Sequence, residues 1–418
     1  MMTAAESRMR VLVGYADYTD RLSYFDDWLD AFKVAKQFDA VPFNIAAPDS
    51  KRRLPQAIRD VDAIVLLHST NGDTLIYLEP HVEVLAQRSV PLLTFVGNEV
   101  SLPGSPIAEK LDLFTQLKPD FIATQLPIEA GRYLFSSVAS RDVVAIPHAL
   151  NPVVYLPTQA TERRPLDIGV RAVRYLPYLG DDDRNRLLKW FAENGARYGL
   201  RVEVSDERLD RNGWADYLNR CKGTIATEAG SWFLERDDAT VNAIREFVLR
   251  KSNRGLVVRN DSSLRRLGHR LPWWMKSIAR RLLSRGLLRH ESLINEQLDH
   301  KEIFKTFFVG KTRPAHYGKC ISSRHFDAAG TKTCQIMFKG RFNDILIADE
   351  HYLALNSDFS NIESVLASFQ DPTIRQKIAD AAFDLVMSKH TYAHRMSDVY
   401  DALSMSSRRN PAAASLNA

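Results

Sequence analysis

The chain has 418 residues, of which 45% are hydrophobic and 26% are charged, and its formal net charge is +5. This length accommodates two domains of ordinary size, and the composition excludes a disordered or fibrous protein. No stretch reaches the roughly 20 apolar residues that span a bilayer. The first residues, MMTAAESRMRVLVGYADY, lack the apolar core of a signal peptide. We therefore expect a cytoplasmic protein.

The cysteines give no sign of a metal site. Cys221, Cys320 and Cys334 show neither CxxC nor Cys/His spacing. Free thiols fit a reducing compartment, and we expect these three to be buried and unpaired, without a structural zinc.

Short apolar runs alternate with helical patterns in the first third of the chain. A predicted strand, RVLVGYA (10–16), comes first, and residues 24–38 have helical spacing. Further buried strands are predicted at AIVLLHS (63–69), VPLLTFVGN (90–98), PDFIATQ (119–125) and DVVAIPHAL (142–150). Such runs between helices are typical of a parallel sheet covered on both faces. We therefore predict a Rossmann-like domain at 1–155.

A second alternating series follows the proline-containing stretch NPVVYLPTQATERRP (151–165), which predicts a linker. Its strands are predicted at 166–173, 201–205, 223–228, 333–338 and 351–356, and its helices at 181–199, 212–221, 360–370, 372–390 and 392–405. We predict a second Rossmann-like domain at 156–405, a mainly helical insertion at 235–310, and a tail at 406–418 without fixed structure. Two such domains face each other across a cleft, where ligands bind beyond the carboxyl ends of the strands.

The insertion carries a basic island, residues 262–290, with eight Lys or Arg and no Asp or Glu. Without the island the chain carries 48 basic and 51 acidic residues. Tryptophans and cations on one helix are typical of contact with anionic lipid, although a helix that packs on its own protein is the alternative. The predicted membrane-contact residues are Trp273, Trp274, Lys276, Arg280, Arg281 and Arg285. A nucleic-acid binder more often spreads its cations over a whole face, so we expect no nucleic-acid partner.

The segment SSRHFDAAGTKTCQIMF (322–338) joins an arginine, an acid and a glycine just before a strand. Arg324, at the start of a helix, can bind a diphosphate with the help of backbone N–H groups. Asp327, one turn later, can accept hydrogen bonds from ribose hydroxyls. Spacing alone favours a simpler alternative, a surface helix with an Arg324–Asp327 ion pair.

This segment resembles the signature Ser-x-Arg-x-Phe-Glu-Ala-Ala-x-x-Gly-Thr of retaining glycosyltransferases with the B-type two-Rossmann fold (GT-B). It is most similar to the spore-coat-protein-like glycosyltransferases of bacterial surface-polysaccharide gene clusters. Further segments resemble the same families in the same order: FVGNE, IATQLPIEAGRYLF, LDIGVRAVRYLPYLGD, WADYLNRCKGTIATEAGS and HYLALNSDFSNIESVLASFQ. The chain departs from the pattern at Asp327, which replaces the Glu, and at Lys319, where many relatives have a second Glu.

The resemblance implies a role for two acids of the second domain. Asp327 takes the position that binds the ribose of the donor. Glu228, after the strand GTIAT, is the candidate for the place that Lys319 leaves vacant. The alternative for Glu228 is a loop carboxylate that caps a backbone turn.

Five further residues complete the predicted site. By resemblance, Arg171 and Arg174 are the phosphate-binding pair after the strand LDIGV; fixed cations there would stabilise a departing pyrophosphate. The alternative, which applies more to Arg174 than to Arg171, is a solvated pair on the surface. Asn98 and Glu99 end a predicted strand and are expected to orient or deprotonate the acceptor hydroxyl. Gly14 could let the backbone approach the donor phosphates.

We predict a glycosyltransferase that moves a sugar from a nucleotide diphosphate sugar to a lipid-linked surface glycan, such as O-antigen or capsule. The resemblance implies retention of anomeric configuration, no essential metal and no bound cofactor. Contact with the inner face of the plasma membrane through the basic island would suit that acceptor. Two alternatives remain open: a non-catalytic scaffold or sugar-binding subunit, which the residues at 319 and 327 favour slightly, and a nucleotide-sugar epimerase on the same architecture.

Overall fold

The computed structural model describes residues 8–19, 22–251, 256–258, 288–290 and 299–408. Its two main sheets are both parallel, and each is covered by helices on both faces. The predicted pair of Rossmann-like domains facing a cleft is confirmed.

The first sheet has six strands in the order β2-β1-β3-β4-β5-β6. The strands are β1 (Met9–Tyr15), β2 (Phe38–Asn44), β3 (Ala63–Leu66), β4 (Leu92–Phe95), β5 (Phe121–Thr124) and β6 (Asp142–Ala145). The helices are α1 (Ser23–Val34), α2 (Ser50–Ala57), α3 (Val82–Ala86), α4 (Ile107–Leu117) and α5 (Ile128–Phe135). Side chains alternate between two cores: Leu12 and Ile64 enter one, and Val11 and Val65 enter the other.

Strand β2 was not predicted. The sequence FDAVPFN contains Pro42, which argues against a central strand. The structure places β2 at the edge of the sheet, where only β1 pairs with it, so a missing N–H is tolerated. Helix α1 therefore ends at Val34 and does not continue to residue 38.

The second sheet has five strands in the order β15-β14-β9-β7-β8. These are β7 (Leu166–Arg171), β8 (Val202–Ser205), β9 (Cys221–Ala226), β14 (Cys334–Phe338) and β15 (Leu353–Leu355). Its helices are α6 (Asp183–Asn194), α7 (Arg211–Asn219), α10 (Ser323–Gly330), α11 (Ile362–Gln370) and α12 (Pro372–Lys389). Short strands β10 (Ala229–Gly230) and β13 (Lys319–Cys320) form an antiparallel pair beside it.

The insertion contributes helices α8 (Ala239–Lys251) and α9 (His300–Phe307), which share a small apolar core that includes Val241, Ile244 and Ile303. It also contains a parallel pair that was not predicted, β11 (Leu256–Val258) with β12 (Leu288–His290). The predicted membrane-contact residues Trp273, Trp274, Lys276, Arg280, Arg281 and Arg285 lie outside the described residues. Within the described part of the chain, no helix has the length and apolarity needed to cross a bilayer.

The last helix, α13 (Tyr392–Arg408), returns to the first domain. Its Tyr392, Met396 and Val399 are buried in the same core as Trp28 of α1. The chain thus crosses between the domains twice, and the crossings are joined where the Tyr392 N–H donates to the Leu150 carbonyl at 3.0 Å.

All three cysteines are buried and free, as predicted. Cys334 lies in β14 and Cys221 begins β9, both inside the second sheet. Burial raises the pKa of both thiols to about 12, so neither is a ready nucleophile.

Candidate functional site

The carboxyl ends of β7 and β8 and the first turn of α10 form one wall of a concave space, which we call the outer pocket. Ser23 and Tyr24, from the start of α1 in the first domain, form the facing wall. The pocket encloses about 540 Å³, including the part open to solvent, and is lined by Leu22, Ser23, Tyr24, Arg171, Val173, Asp206, Glu207, Arg208, Leu209, Trp214, Ser323 and Arg324. This position, between two α/β domains, is where such folds bind ligands.

A second space, the inner pocket, continues into the second domain. It measures about 510 Å³, including the part open to solvent, and is lined by Val170, Arg171, Ala172, Arg184, Leu187, Leu188, Trp214, Thr224, Ile225, Ala226, Thr227, Ser322, Arg324, His325 and Gln335. Arg171, Trp214 and Arg324 line both pockets, so the two spaces are adjacent. All residues of the inner pocket belong to the second domain.

Arg324 stands where the two pockets meet, in the first turn of α10. Its Nη1 donates to the Arg171 carbonyl at 2.6 Å, and its guanidinium lies 5.8 Å from the Trp214 ring. Desolvation, and then the positive charges of Arg184 and Arg208, lower the pKa of Arg324 to about 10. The guanidinium therefore stays charged at neutral pH. Among the described residues Arg324 has no carboxylate partner, and its hydrogen bond goes to a backbone carbonyl, so its charge is available to an anion.

The other two residues predicted to bind phosphate, Arg171 and Arg174, lie in different surroundings. Arg171 ends β7 and lines both pockets, but its Nη2 lies 2.5 Å from the Glu203 carboxylate and its guanidinium covers the Tyr217 ring at 4.3 Å. Arg174 is exposed on the loop beyond, outside both pockets, near His300 of α9. The structure therefore brings Arg171 and Arg324 together and leaves Arg174 apart.

Asp327 is buried below the pockets and lines neither. Its Oδ2 accepts a hydrogen bond from the Trp214 indole N–H at 3.0 Å. Burial, and then the nearby Asp27, raise the pKa of Asp327 well above its ordinary value. The i,i+3 ion pair with Arg324 considered from spacing is not formed. In this structure Asp327 positions Trp214, the aromatic residue shared by the two pockets.

Glu228 follows β9 and is also buried away from both pockets. Its Oε1 accepts from the Phe342 N–H at 2.7 Å, and its Oε2 accepts from the Tyr317 hydroxyl at 2.5 Å. A Cβ on Gly340 would lie 2.3 Å from Oε2, so glycine is required for this approach. Burial raises the pKa of Glu228. The observed contacts are those of the turn-capping alternative.

The turn that Glu228 caps touches the first domain. Phe342, Asn343 and Asp344 all have positive φ, between 46° and 58°. The Asn343 amide donates to the Gln125 carbonyl at 2.8 Å, and Arg341 forms an ion pair with Glu129 at 2.6 Å. Glu228 thus supports a contact that holds the two domains together.

Lys319, at the departure from the family pattern, is fully buried and paired with Asp181. Although burial opposes it, Asp181 holds the pKa of Lys319 above its ordinary value. The lysine is therefore charged and already neutralised by its partner.

Glu99 and Asn98 follow β4 in the first domain. Glu99 is buried, and its Oε1 accepts from the Thr124 hydroxyl and the Gln125 N–H, both at 2.7 Å. Burial raises the pKa of Glu99 to about 7, against the opposing effects of these donors and of Lys110. Asn98 is half-buried, and its carbonyl accepts from Lys110. Neither residue lines the outer or the inner pocket.

Gly14 lies inside β1, paired with Phe43 and Leu66 on the neighbouring strands. A Cβ there would lie 2.7 Å from a methyl carbon of Leu66. Close packing within the sheet accounts for this glycine.

The sequence reasoning missed several pocket residues. Arg208 lies in the loop after β8, three residues beyond its end, and Trp214 lies in the first turn of α7, so the predicted strand and helix already placed both residues at this edge. His325 occupies a position that the signature leaves open, Gln335 lies just beyond its end, and Thr227 immediately precedes Glu228. Across the described ranges, no group of three or more His, Cys, Asp or Glu is placed to hold a metal ion.

Comparisons with known proteins agree with this architecture. Residues 288–401 match a protein family described as glycosyl transferase-like. No curated protein matches the chain by sequence. Among solved structures, the chain is similar to Anabaena HepE in complex with UDP-glucose, with 10% identity, 95% of this chain and 100% of that chain covered, and a TM-score of 0.51.

It is also similar to sucrose-phosphate synthase from Thermosynechococcus elongatus, with 11% identity, 96% and 100% of the two chains covered, and a TM-score of 0.51. At these identities the likeness concerns the fold. The chain has the GT-B architecture of two Rossmann-like domains around a cleft.

Proposed function

We propose that the protein is a glycosyltransferase that takes a sugar from a nucleotide diphosphate sugar. The observation that carries the proposal is the unpaired Arg324, in the first turn of a helix, where two adjacent pockets meet. A diphosphate at this point would meet both the guanidinium and the backbone N–H groups of the helix N-terminus. The match of residues 288–401 and the GT-B fold support the same activity.

In the proposed reaction the bond between the anomeric carbon and the phosphate oxygen breaks, and its electron pair leaves with the nucleoside diphosphate. A new bond forms from the acceptor oxygen to the anomeric carbon, and the proton of the acceptor hydroxyl passes to the departing phosphate. Arg324, with Arg171, Arg184 and Arg208 around it, would stabilise the negative charge that develops. We propose that these cations serve without a metal and that configuration is retained, as the sequence resemblance implies.

The buried acids would act indirectly. Asp327 would hold Trp214 against the donor, and Glu228 would hold the turn that joins the domains. Glu99, whose pKa burial raises to about 7, belongs to the first domain, which would bind the acceptor. Because it is buried and bonded to Thr124 and Gln125, it too would act indirectly.

The acceptor is proposed to be a surface glycan such as O-antigen or capsule, carried on a lipid. The resemblance to surface-polysaccharide glycosyltransferases and the basic island at 262–290 support this choice. A protein of this kind would work at the inner face of the plasma membrane.

The test is a panel of UDP, dTDP, GDP and CMP sugars offered to the purified full-length chain. We expect one donor to raise the melting temperature of the protein. That donor should release its nucleotide slowly by hydrolysis when alone, and faster by sugar transfer when an acceptor is present. Absence of both binding and turnover across the panel would refute the proposal.

One alternative is favoured by a specific observation. Glu228 and Asp327 are both engaged in structural contacts, which a non-catalytic nucleotide-sugar-binding subunit would tolerate. Such a subunit would bind a donor in the panel and release no nucleotide from it. The turnover measurement therefore separates the two functions.

A further inference from the structure

An extended segment joins the insertion to the first domain. Residues 231–238, which we call the strap, follow β10 and precede α8, and they form neither a helix nor a strand. Leu234, Arg236 and Asp238 contact the first domain. Glu235, between them, contacts the insertion. Side chains of an extended chain alternate in this way between two sides, so the strap touches both domains along its length.

Leu234 belongs to the core of the first domain. It is 3% exposed and lies in the apolar cluster that Leu12 and Ile64 of the first sheet enter. Two residues later, the Arg236 guanidinium donates to the Ser137 hydroxyl, just after α5. A side chain of the second domain thus fills space inside the first domain, and the domains cannot part there without exposing it to water.

Asp238 caps a helix of the first domain. Helix α4 begins after Pro106, whose side chain cannot accept a hydrogen bond, so the helix has no cap of its own. Asp238 supplies the acceptors: its Oδ1 accepts from the Ile107 N–H and its Oδ2 from the Ala108 N–H, both at 2.9 Å. The Ser101 hydroxyl donates to Oδ1 as well. A negative charge at this end of a helix also meets the positive end of the helix dipole.

The insertion holds the strap from its other side. Glu235 accepts from Lys311, which follows α9, and from the Thr240 N–H in α8 at 3.0 Å. Asp238 has a φ of 56°, a left-handed conformation that few residues other than Gly, Asn and Asp adopt. The strap is therefore fixed between two partners, and its last residue is held in the conformation that points the carboxylate at α4.

The strap buries more than the turn at 341–344, which also joins the domains. The ion pair of Arg341 with Glu129 has side chains that are 38% and 42% exposed, and surface pairs of this kind contribute little. In the strap, by contrast, Leu234 and Asp238 are 3% and 4% exposed. Separation would leave three donors of the first domain without the acceptor that Asp238 provides, and buried donors without a partner are costly.

The strap is attached close to the cleft. Ser101, which donates to Asp238, comes three residues after Asn98 at the carboxyl end of β4. The outer pocket has walls from both domains, Tyr24 on one side and Arg324 on the other. The distance between these walls depends on how the two domains are held.

We propose that the strap holds the two domains at the separation seen here, and that the cleft widens only when Asp238 leaves α4 and Leu234 leaves the first core. The insertion then has a role of its own, which is to set the width of the cleft. This inference goes beyond the proposed function and does not depend on it, since it concerns the arrangement of the domains.

The experiment measures the distance between the domains in the full-length chain. Spin labels are placed at Arg59→Cys in the first domain and Glu193→Cys in the second, both exposed and outside both pockets, while the three native cysteines are buried. Pulsed electron resonance between the labels gives the distribution of distances. With the strap intact we expect one narrow distribution.

Asp238→Gly removes the carboxylate and tolerates the φ of 56°. We expect it to increase the population at a second distance at least about fivefold, because the donors of α4 lose their acceptor. Adding Leu234→Ala should make that second distance the main one. Asp238→Asn keeps one acceptor oxygen and tolerates the same φ, so its increase should be smaller.

Asp371→Gly is the matched control. Asp371 caps α12 by accepting from the Thr373 N–H at 2.8 Å and the Ile374 N–H at 3.1 Å, but cap and helix both belong to the second domain. This variant should lower the melting temperature about as much as Asp238→Gly and leave the distances unchanged. If Asp238→Gly fails to fold, Asp238→Asn combined with Arg236→Ala decides the question.

Unchanged distances in a folded Asp238→Gly, Leu234→Ala protein would overturn the inference. The domains would then be held by other contacts, such as the ion pairs of Arg211 with Asp27 and Asp30. An equal change in Asp371→Gly would also overturn it, because the strap would have no special part. Failure of every nucleotide sugar to bind would refute the proposed function and leave this inference standing.

Discussion

The carboxyl ends of the two main sheets differ in what their charged groups do. At the first sheet, Glu99 is buried and hydrogen-bonded to Thr124 and Gln125, and Lys110 beside it is buried as well. At the second sheet, Arg324 forms no ion pair with any described residue and faces two pockets. At the second sheet a cation between two pockets is therefore left without a carboxylate partner among the described residues, whereas at the first sheet the buried Glu99 carboxylate already has its hydrogen-bond donors.

The largest effect is expected from a substitution of Glu99, at the carboxyl end of the first sheet. Glu99→Gln should make the unfolding free energy less dependent on pH, because burial raises the pKa of Glu99 from about 4.5 in the unfolded chain to about 7. A raised carboxyl pKa contributes stability that is present below pH 4.5 and is lost as the pH rises through 7. The wild type should therefore lose about 3 kcal/mol relative to the variant between pH 4.5 and 8.

Urea unfolding at several pH values measures this difference. If the difference in unfolding free energy between wild type and variant is the same at every pH, the pKa of Glu99 is not raised by folding. Loss of transfer activity in Glu99→Gln with donor binding unchanged would assign Glu99 a direct role toward the acceptor.

The next largest effect is expected on nucleotide affinity when Arg324, at the carboxyl end of the second sheet, is replaced. Arg324→Ala should weaken nucleoside diphosphate binding by about a hundredfold, since it removes the free cation between the pockets. Arg174→Ala is the matched control, because Arg174 is exposed outside both pockets, and it should change the affinity by less than about threefold. Calorimetry with the nucleotide checks both. Similar losses in the two variants would mean that the pockets do not set the position of the diphosphate.

A smaller effect is expected at the contact between the domains. Glu228→Ala leaves the Phe342 N–H and the Tyr317 hydroxyl without their acceptor and should cost about 2 kcal/mol of stability. Glu228→Gln keeps an acceptor for the N–H and should cost less. Thermal unfolding measures both variants. A stable Glu228→Gln protein that binds donor but transfers no sugar would contradict a purely positioning role.

The smallest effect is expected at Asp327. Asp327→Asn keeps an oxygen for the Trp214 indole and removes a carboxyl group that burial disfavours in its charged form. The unfolding free energy should change by less than about 1 kcal/mol, and nucleotide affinity by less than about threefold. A fall in affinity of tenfold or more would mean that Asp327 binds the ribose directly, as the family pattern implies.

The sequence predicted most of the fold because its strands are apolar runs bounded by turns. Ten of the eleven main-sheet strands coincide with predicted runs, usually with shorter bounds, since apolar residues continue past the last ladder hydrogen bond. β2 was not predicted, because its proline is usually a sign that a strand is interrupted or absent. The strands β11 and β12 are each only three residues long, which is too short to show a strand pattern in the sequence.

The candidate site was predicted less completely. Arg171 and Arg324 could be placed because each follows a recognisable strand or starts a helix. The surroundings of Asp327 and Glu228 depend on which residues the fold brings close. Their partners Trp214, Tyr317 and Phe342 lie 89 to 114 positions away along the chain. Distance along the sequence gives no sign of such contacts. The buried ion pair of Lys319 with Asp181 is hidden for the same reason.

The return of α13 to the first domain has a consequence for biosynthesis. Tyr392, Met396 and Val399 fill the core around Trp28, yet they follow every strand of the second sheet in the chain. While the chain is being made from its amino end, the first domain therefore keeps an apolar face uncovered until the second domain has left the ribosome. The domain that is translated first is completed last, which ties the maturation of both halves of the cleft to a single final step.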